Sequence, residues 1–181
     1  MKPAVDGEHF DALMEALDGA AAELIAAFER DAARWTKGRP GKWTAGQHTA
    51  HVAITLAVTA DAFEERLPQV LAGTLGPPPR RGPLQWLWVS LVVGRATLPR
   101  GLRTPRRFEP GQGPERAATL ERVRRELERH RAVGRPLTPA QRDRLWIRSP
   151  FVSRWHYRLP EIIRVQAVHV RHHLRQIEEI P

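Results

Sequence analysis

Apolar residues in the first part of the chain recur three and four positions apart. Phe10, Leu13, Met14, Leu17, Ala21, Leu24, Ile25 and Phe28 keep that spacing between Gly7 and Trp35, which predicts a long amphipathic helix. Asp6, Glu8 and Asp11 at its front and Arg30, Arg34 and Lys37 toward its end suit the helix dipole, and Gly38-Arg39-Pro40-Gly41 breaks it. Trp43-Thr44-Ala45-Gly46-Gln47 restarts the chain, with Thr44 as N-cap and Gln47 completing a capping box. A second helix runs from there to about Val70. One of its stripes holds His48, His51, Thr55, Val58 and Ala62, and the next holds Val52, Leu56, Thr59 and Phe63.

The pattern then lapses. Prolines at 77, 78, 79, 83, 99, 105, 110 and 114 interrupt residues 72–114, leaving room for one short helix from Leu84 to Ala96 with Trp86, Leu87, Leu91 and Val92 as its apolar face. A connection this long suggests a crossover between the second and third main helices rather than a hairpin. The third main helix is expected over Pro114 to Val133, with Ala117, Leu120, Val123 and Leu127 inward and a strongly basic face outward. A short turn of helix follows near residues 137–142. An irregular stretch from Arg148 to Tyr157 comes next, and the aromatics Trp146, Phe151, Trp155 and Tyr157 are expected to cover one end of the core. Pro160 suits the first position of the last helix, which runs to Ile180. Ile163, Val170, Leu174 and Ile177 form one of its stripes, and Ile162, Gln166, His169, His173 and Gln176 the neighbouring one. Four main helices without a clear strand define an all-α fold, a four-helix bundle forming a single domain over residues 1–181.

Composition narrows the chemistry. With no cysteine among 181 residues, disulfides, thiolate nucleophiles and cysteine metal ligands are excluded, so a transition-metal site must use histidine, carboxylate and water. The start Met1-Lys2-Pro3-Ala4-Val5-Asp6 lacks the apolar core of a secretory signal. The run from Leu84 to Val93 is too short to span a bilayer, so a soluble cytoplasmic protein with no membrane partner is expected. The net charge of +9 is unevenly spread: residues 1–94 carry nine basic and eleven acidic side chains, residues 95–175 twenty and seven. A basic second half invites comparison with nucleic-acid binders. However, Trp86, Trp88, Trp146 and Trp155 sit among apolar residues rather than alternating with arginines, which is the pattern of a core.

The stretch Val168-His169-Val170-Arg171-His172-His173-Leu174-Arg175-Gln176-Ile177 carries the sharpest signal. On a helix, His169 and His173 project from one face about 6 Å apart at Cβ, close enough to grip one metal ion. A further ligand must come from elsewhere, and the second helix offers His48 and His51. Polar groups turned into a bundle interior cost about 1–3 kcal/mol each if left unsatisfied, which a shared metal would relieve. His172 is expected to face solvent.

Trp43-Thr44-x-x-Gln47-x-x-x-His51-Val52, the Pro/Gly-interrupted connection, Ser149-Pro150-Phe151, an acidic start to the last helix and His169-x-x-x-His173-x-x-Gln176-Ile177 together resemble the DinB/YfiT-like superfamily over nearly the whole chain. The resemblance implies a four-helix bundle with a long crossover, commonly a homodimer, and a divalent metal, zinc or nickel, held by His51, His169 and His173. His48, one turn earlier, is the other candidate from its helix. His48, His172 and Gln176 are candidates for contacts that orient a ligand or a substrate. The resemblance also implies a small-molecule substrate and one of two chemistries, of which transfer of a low-molecular-weight thiol to an electrophile is favoured over metal-assisted hydrolysis. Arginines of the second half suit the carboxylates or phosphate of an anionic thiol cofactor. No catalytic base is identifiable. Two non-enzymatic readings compete: a basic helical protein that binds nucleic acid or an acidic partner, and a stress-related bundle that holds metal without turnover.

Overall fold

The computed structural model describes residues 10–95, 98 and 104–181 of the chain. Gly7, Asp6, Glu8, Ala96 and Pro99, which enter the expectations above, lie outside the described residues. The first helix, α1 (Phe10–Arg30), buries Leu13, Leu17, Leu24 and Phe28 along the expected stripe. It stops short of Trp35 because the Asp31 side chain accepts the Arg34 amide and turns the chain into a short 3-10 segment, Ala32–Thr36. The following turn closes through a bridge between Gly38 and Thr44, with Gly41 at a φ of +68° that favours glycine. That turn presents Trp43.

Helix α2 (Ala45–Leu71) starts with the predicted capping box: the Gln47 amide donates to Thr44 Oγ1 at 3.2 Å and the Thr44 amide to Gln47 Oε1 at 3.0 Å. The Trp35 indole lies directly on Gly46, where a Cβ would meet it at 2.6 Å. Trp35 Nε1 also donates to the Pro114 carbonyl at 2.7 Å, mooring the far end of the connection to the start of α2. Within the connection, α3 (Pro83–Arg95) forms as expected but with its inward face shifted. Val92 is buried as expected, together with Gln85 and Val89, while Trp86 and Leu87 face solvent. A helix apolar on every side has no unique inward stripe, so periodicity alone misplaces it.

Helix α4 (Arg116–Gly134) is capped by the Glu115 carboxylate and buries Leu120, Val123, Glu126, Leu127, His130 and Val133. Ala117, expected inward, is exposed. Helix α5 (Pro139–Arg144) has its own capping box at Thr138 and Gln141. The stretch expected to be irregular and strand-free instead contains a small antiparallel pair, β1 (Trp146–Arg148) and β2 (His156–Arg158), with Ile147 opposite Tyr157. Three-residue strands are too short to show a period of two, which is why the sequence hides them. Trp146 and Tyr157 are buried there, as expected of a core cover.

The last helix, α6 (Leu159–Glu178), packs against α1, α2 and α3, and α2 and α1 also pack against α4. Gln47 near the start of α2 reaches the Gly111 carbonyl just ahead of α4, and further along both helices Thr59 meets His130 and Arg129 meets Asp61 and Glu64. Against α6 the order reverses, with His48 beside His173 and Thr59 beside Gln166. The protein is therefore mostly helical with one minor two-stranded sheet, and among the described residues no helix is long and apolar enough to cross a membrane.

The basic outer face expected of α4 is largely neutralised within the fold. Arg129 pairs with Asp61, Glu64 and Glu126, Arg131 with Asp18 and Glu128, and Arg124 with Glu29 and Glu121.

Candidate metal centre

Helices α2 and α6 bring His51, His169 and His173 together. His51 and His173 are buried and His169 is half-buried, and one ring nitrogen from each lies within 4.8 Å of the others. The His169 Nε2 atom stands 3.2 Å from His51 Nε2 and 3.0 Å from His173 Nε2.

The second nitrogen of each ring decides what these contacts are. His51 Nδ1–H donates to the Phe108 carbonyl at 2.8 Å, so its Nε2 carries a bare lone pair. The Thr55 hydroxyl gives its proton to the Val52 carbonyl at 2.9 Å and so accepts from His169 Nδ1–H at 3.3 Å, baring His169 Nε2 as well. His173 Nδ1 meets His48 Nδ1 at 3.0 Å, and one of the two donates. The contact between His51 and His169 thus opposes two lone pairs with no proton between them, an arrangement that a shared cation turns from repulsion into ligation. Tetrahedral binding at about 2.0–2.1 Å would hold ligand nitrogens about 3.3 Å apart, close to the two observed spacings. The donor set fits a divalent transition metal.

Electrostatics keep the cluster neutral and available. Burial holds His169 and His173 well below the ordinary histidine range, reinforced by the neighbouring imidazoles, and burial also lowers His51 against the opposing bond to Phe108. Burial, then the charges of His51 and His172, bring His48 down to about 4. Unprotonated imidazole is the metal-binding form.

The surroundings are aromatic. The Trp43 ring lies 5.0 Å from His51, 5.5 Å from His48 and stacked at 6.4 Å on His173. Phe108, in the 3-10 turn Arg106–Phe108, packs on Phe151 at 4.8 Å. Behind His169 a polar chain leaves the cluster. Gln166 donates to the Thr55 carbonyl and to Thr59 Oγ1, both at 3.1 Å, Thr59 contacts His130 Nε2 at 3.0 Å, and His130 Nδ1–H donates to the Glu126 carbonyl at 2.7 Å.

Of the residues singled out in the sequence, His51, His169 and His173 form the cluster. His48 lies beside the cluster, its Nδ1 3.0 Å from His173 Nδ1. His172, expected at the surface, is half-buried with its ring edge-on to His173 at 5.5 Å. Gln176 has a buried Oε1 with no hydrogen-bond partner among the described residues. Sequence reasoning missed Thr55, Gln166 and His130 as members of the site's polar frame, although Thr55 lies one turn after His51 and His130 continues the stripe of Val123 and Leu127. The Phe108 carbonyl, a backbone atom, left no signal.

These features define a helical protein with a three-histidine cluster built between two of its helices. Residues 9–145 match the model of the family described as "Protein of unknown function (DUF1569)", and the chain belongs to that family. The match takes in His48, His51, Thr55 and Phe108 and ends before α6, which supplies His169 and His173. No curated protein and no solved structure matches the chain.

Proposed function

We propose that the protein is a divalent-metal-dependent enzyme of the DinB/YfiT-like type. In this reading α1, α2, α4 and α6 are its four-helix bundle and residues 72–115 its crossover. The order of contacts along α2 and α4, from Gln47 and Gly111 to Thr59 and His130, supports helices that run the same way and so need a long return. Zinc or nickel would be held by His51, His169 and His173. The observation that carries this reading is the pair of bare lone pairs facing each other at 3.2 Å between His51 and His169. Three protein ligands leave a position open, and a metal so held lowers the pKa of a bound water or thiol enough to supply a nucleophile at neutral pH.

The chain's own groups do the rest. Phe108, Thr55 and His48 fix ring orientation and tautomer. Trp43 walls the cluster with apolar surface suited to a small-molecule electrophile. Transfer of a low-molecular-weight thiol to that electrophile is the favoured reaction. The nucleic-acid reading loses ground because Arg124, Arg129 and Arg131 on α4 are engaged with carboxylates of the same chain.

Elemental analysis of purified protein tests the reading. About one zinc or nickel ion per chain is expected in the wild type and none in His169→Ala/His173→Ala, in line with ligation by these imidazoles. A wild type that stays empty after incubation with both metals sinks it. Loss of electrophile in the metal-loaded protein only when a thiol is added separates thiol transfer from hydrolysis.

A further inference from the structure

Away from the cluster, α3 and the β1–β2 hairpin share one face. Gln85 Nε2 donates to the His156 carbonyl, and Trp88 packs on Trp155 with ring centroids 5.6 Å apart. The outer side of this unit is apolar: Leu84 is 68% exposed, Trp86 55%, Leu87 50% and, in the hairpin turn, Val152 40%. Side chains of that size left open on a helix and an adjoining turn mark an interaction surface.

The segments that build it are one-sided in charge. Residues 66–108 contain eight arginines and no acidic residue, and residues 144–160 contain four arginines and no acidic residue. Arg80, Arg148, Arg154 and Arg158 from these segments are exposed, whereas Arg81 turns inward to the buried Glu161. The arginines of α4 are balanced by carboxylates, and those of this face have none within their own segments.

We propose that this face docks on an anionic phospholipid surface. Leu84, Trp86 and Leu87 enter the boundary between headgroups and acyl chains, and the surrounding arginines meet lipid phosphates. Arginine suits this role because its apolar stem lies along the buried surface while the guanidinium stays at headgroup level. At 13 residues α3 is about 20 Å long, too short to cross a hydrocarbon core of about 30 Å, so the helix lies in the plane of the surface. This departs from the expectation of no membrane partner, which rested on the absence of a spanning segment. Charge complementarity selects the occupant. A second copy would bring two acid-free arginine faces together, and a nucleic acid would leave three large apolar side chains without apolar contact.

Co-sedimentation with vesicles tests it, using phosphatidylglycerol mixed with phosphatidylcholine against phosphatidylcholine alone. The wild type is expected to bind the anionic vesicles with its tryptophan emission shifted to the blue, and to bind neutral vesicles at least ~10-fold more weakly. Leu84→Ser/Leu87→Ser and Arg80→Glu/Arg154→Glu should each lose at least ~10-fold in binding to the anionic vesicles while keeping the wild-type circular dichroism. No binding to anionic vesicles overturns the proposal. So does a Leu84→Ser/Leu87→Ser variant that binds as well as wild type, or duplex DNA that displaces the protein from vesicles. A wild-type dimer in sedimentation velocity that the leucine variant alone dissociates assigns the face to a second copy instead.

Discussion

An imidazole offers a metal only what its other nitrogen leaves free. At His51 a backbone carbonyl makes that choice and at His169 a threonine hydroxyl does, so in two of the three rings Nε2 is left bare by groups outside the cluster. Replacing Thr55 with valine keeps the side chain's volume and removes the acceptor. The ring of His169 then loses its fixed tautomer, and zinc affinity measured by chelator competition is expected to fall about 10-fold to 100-fold. Unchanged affinity would show that packing alone orients His169. His169 and His173 were legible from one stripe of α6, because helical spacing fixes direction, whereas the stripe on α2 offered both His48 and His51. Their partners were not legible. A carbonyl at Phe108 belongs to every residue type, and a threonine one turn from a histidine is ordinary in a helix.

Among the elements, the joint between Trp35, Gly46 and Pro114 moors the far end of the long connection to the start of α2. Its indole rests against Gly46 with no room for a Cβ, at 2.6 Å. Gly46→Ala must push the tryptophan off its bond to the Pro114 carbonyl, and a loss of about 1–3 kcal/mol is expected in urea unfolding, the cost of overpacking a tight core contact. An unchanged midpoint would mean that the indole moves without penalty. Helices α1, α2, α4 and α6 were readable because each has one apolar stripe and a clear breaker or cap. Helix α3 was readable as a helix and unreadable in orientation, since Val89 and Val92 differ little in hydropathy from the exposed Leu84 and Leu87. The hairpin escaped notice because three residues per strand offer no periodicity to read.

For the molecule as a whole, the histidine cluster is a liability in acid. His48, His51, His169 and His173 all have folded-state pKa values below the ordinary 6.5. Below pH 6.5 the unfolded chain therefore takes up protons that the folded chain refuses, and stability falls as the pH drops. For His48 the window runs from 6.5 down to about 4. The metal-free protein is expected to show a lower urea midpoint at pH 5 than at pH 7, and a quadruple variant with neutral side chains at these positions a smaller difference. An equal pH dependence in the two would place the acid sensitivity outside the cluster.

The seating of Trp43 gives the protein a built-in optical reporter. Its indole lies 5.0 Å from the His51 ring and is stacked on His173 at 6.4 Å, close enough for an open-shell ion in the cluster to quench the excited indole. Nickel or copper entering the cluster should darken this one tryptophan, while zinc, with its filled d shell, leaves it bright. Occupancy can then be followed in solution by titration, with Trp43→Phe as the silent control.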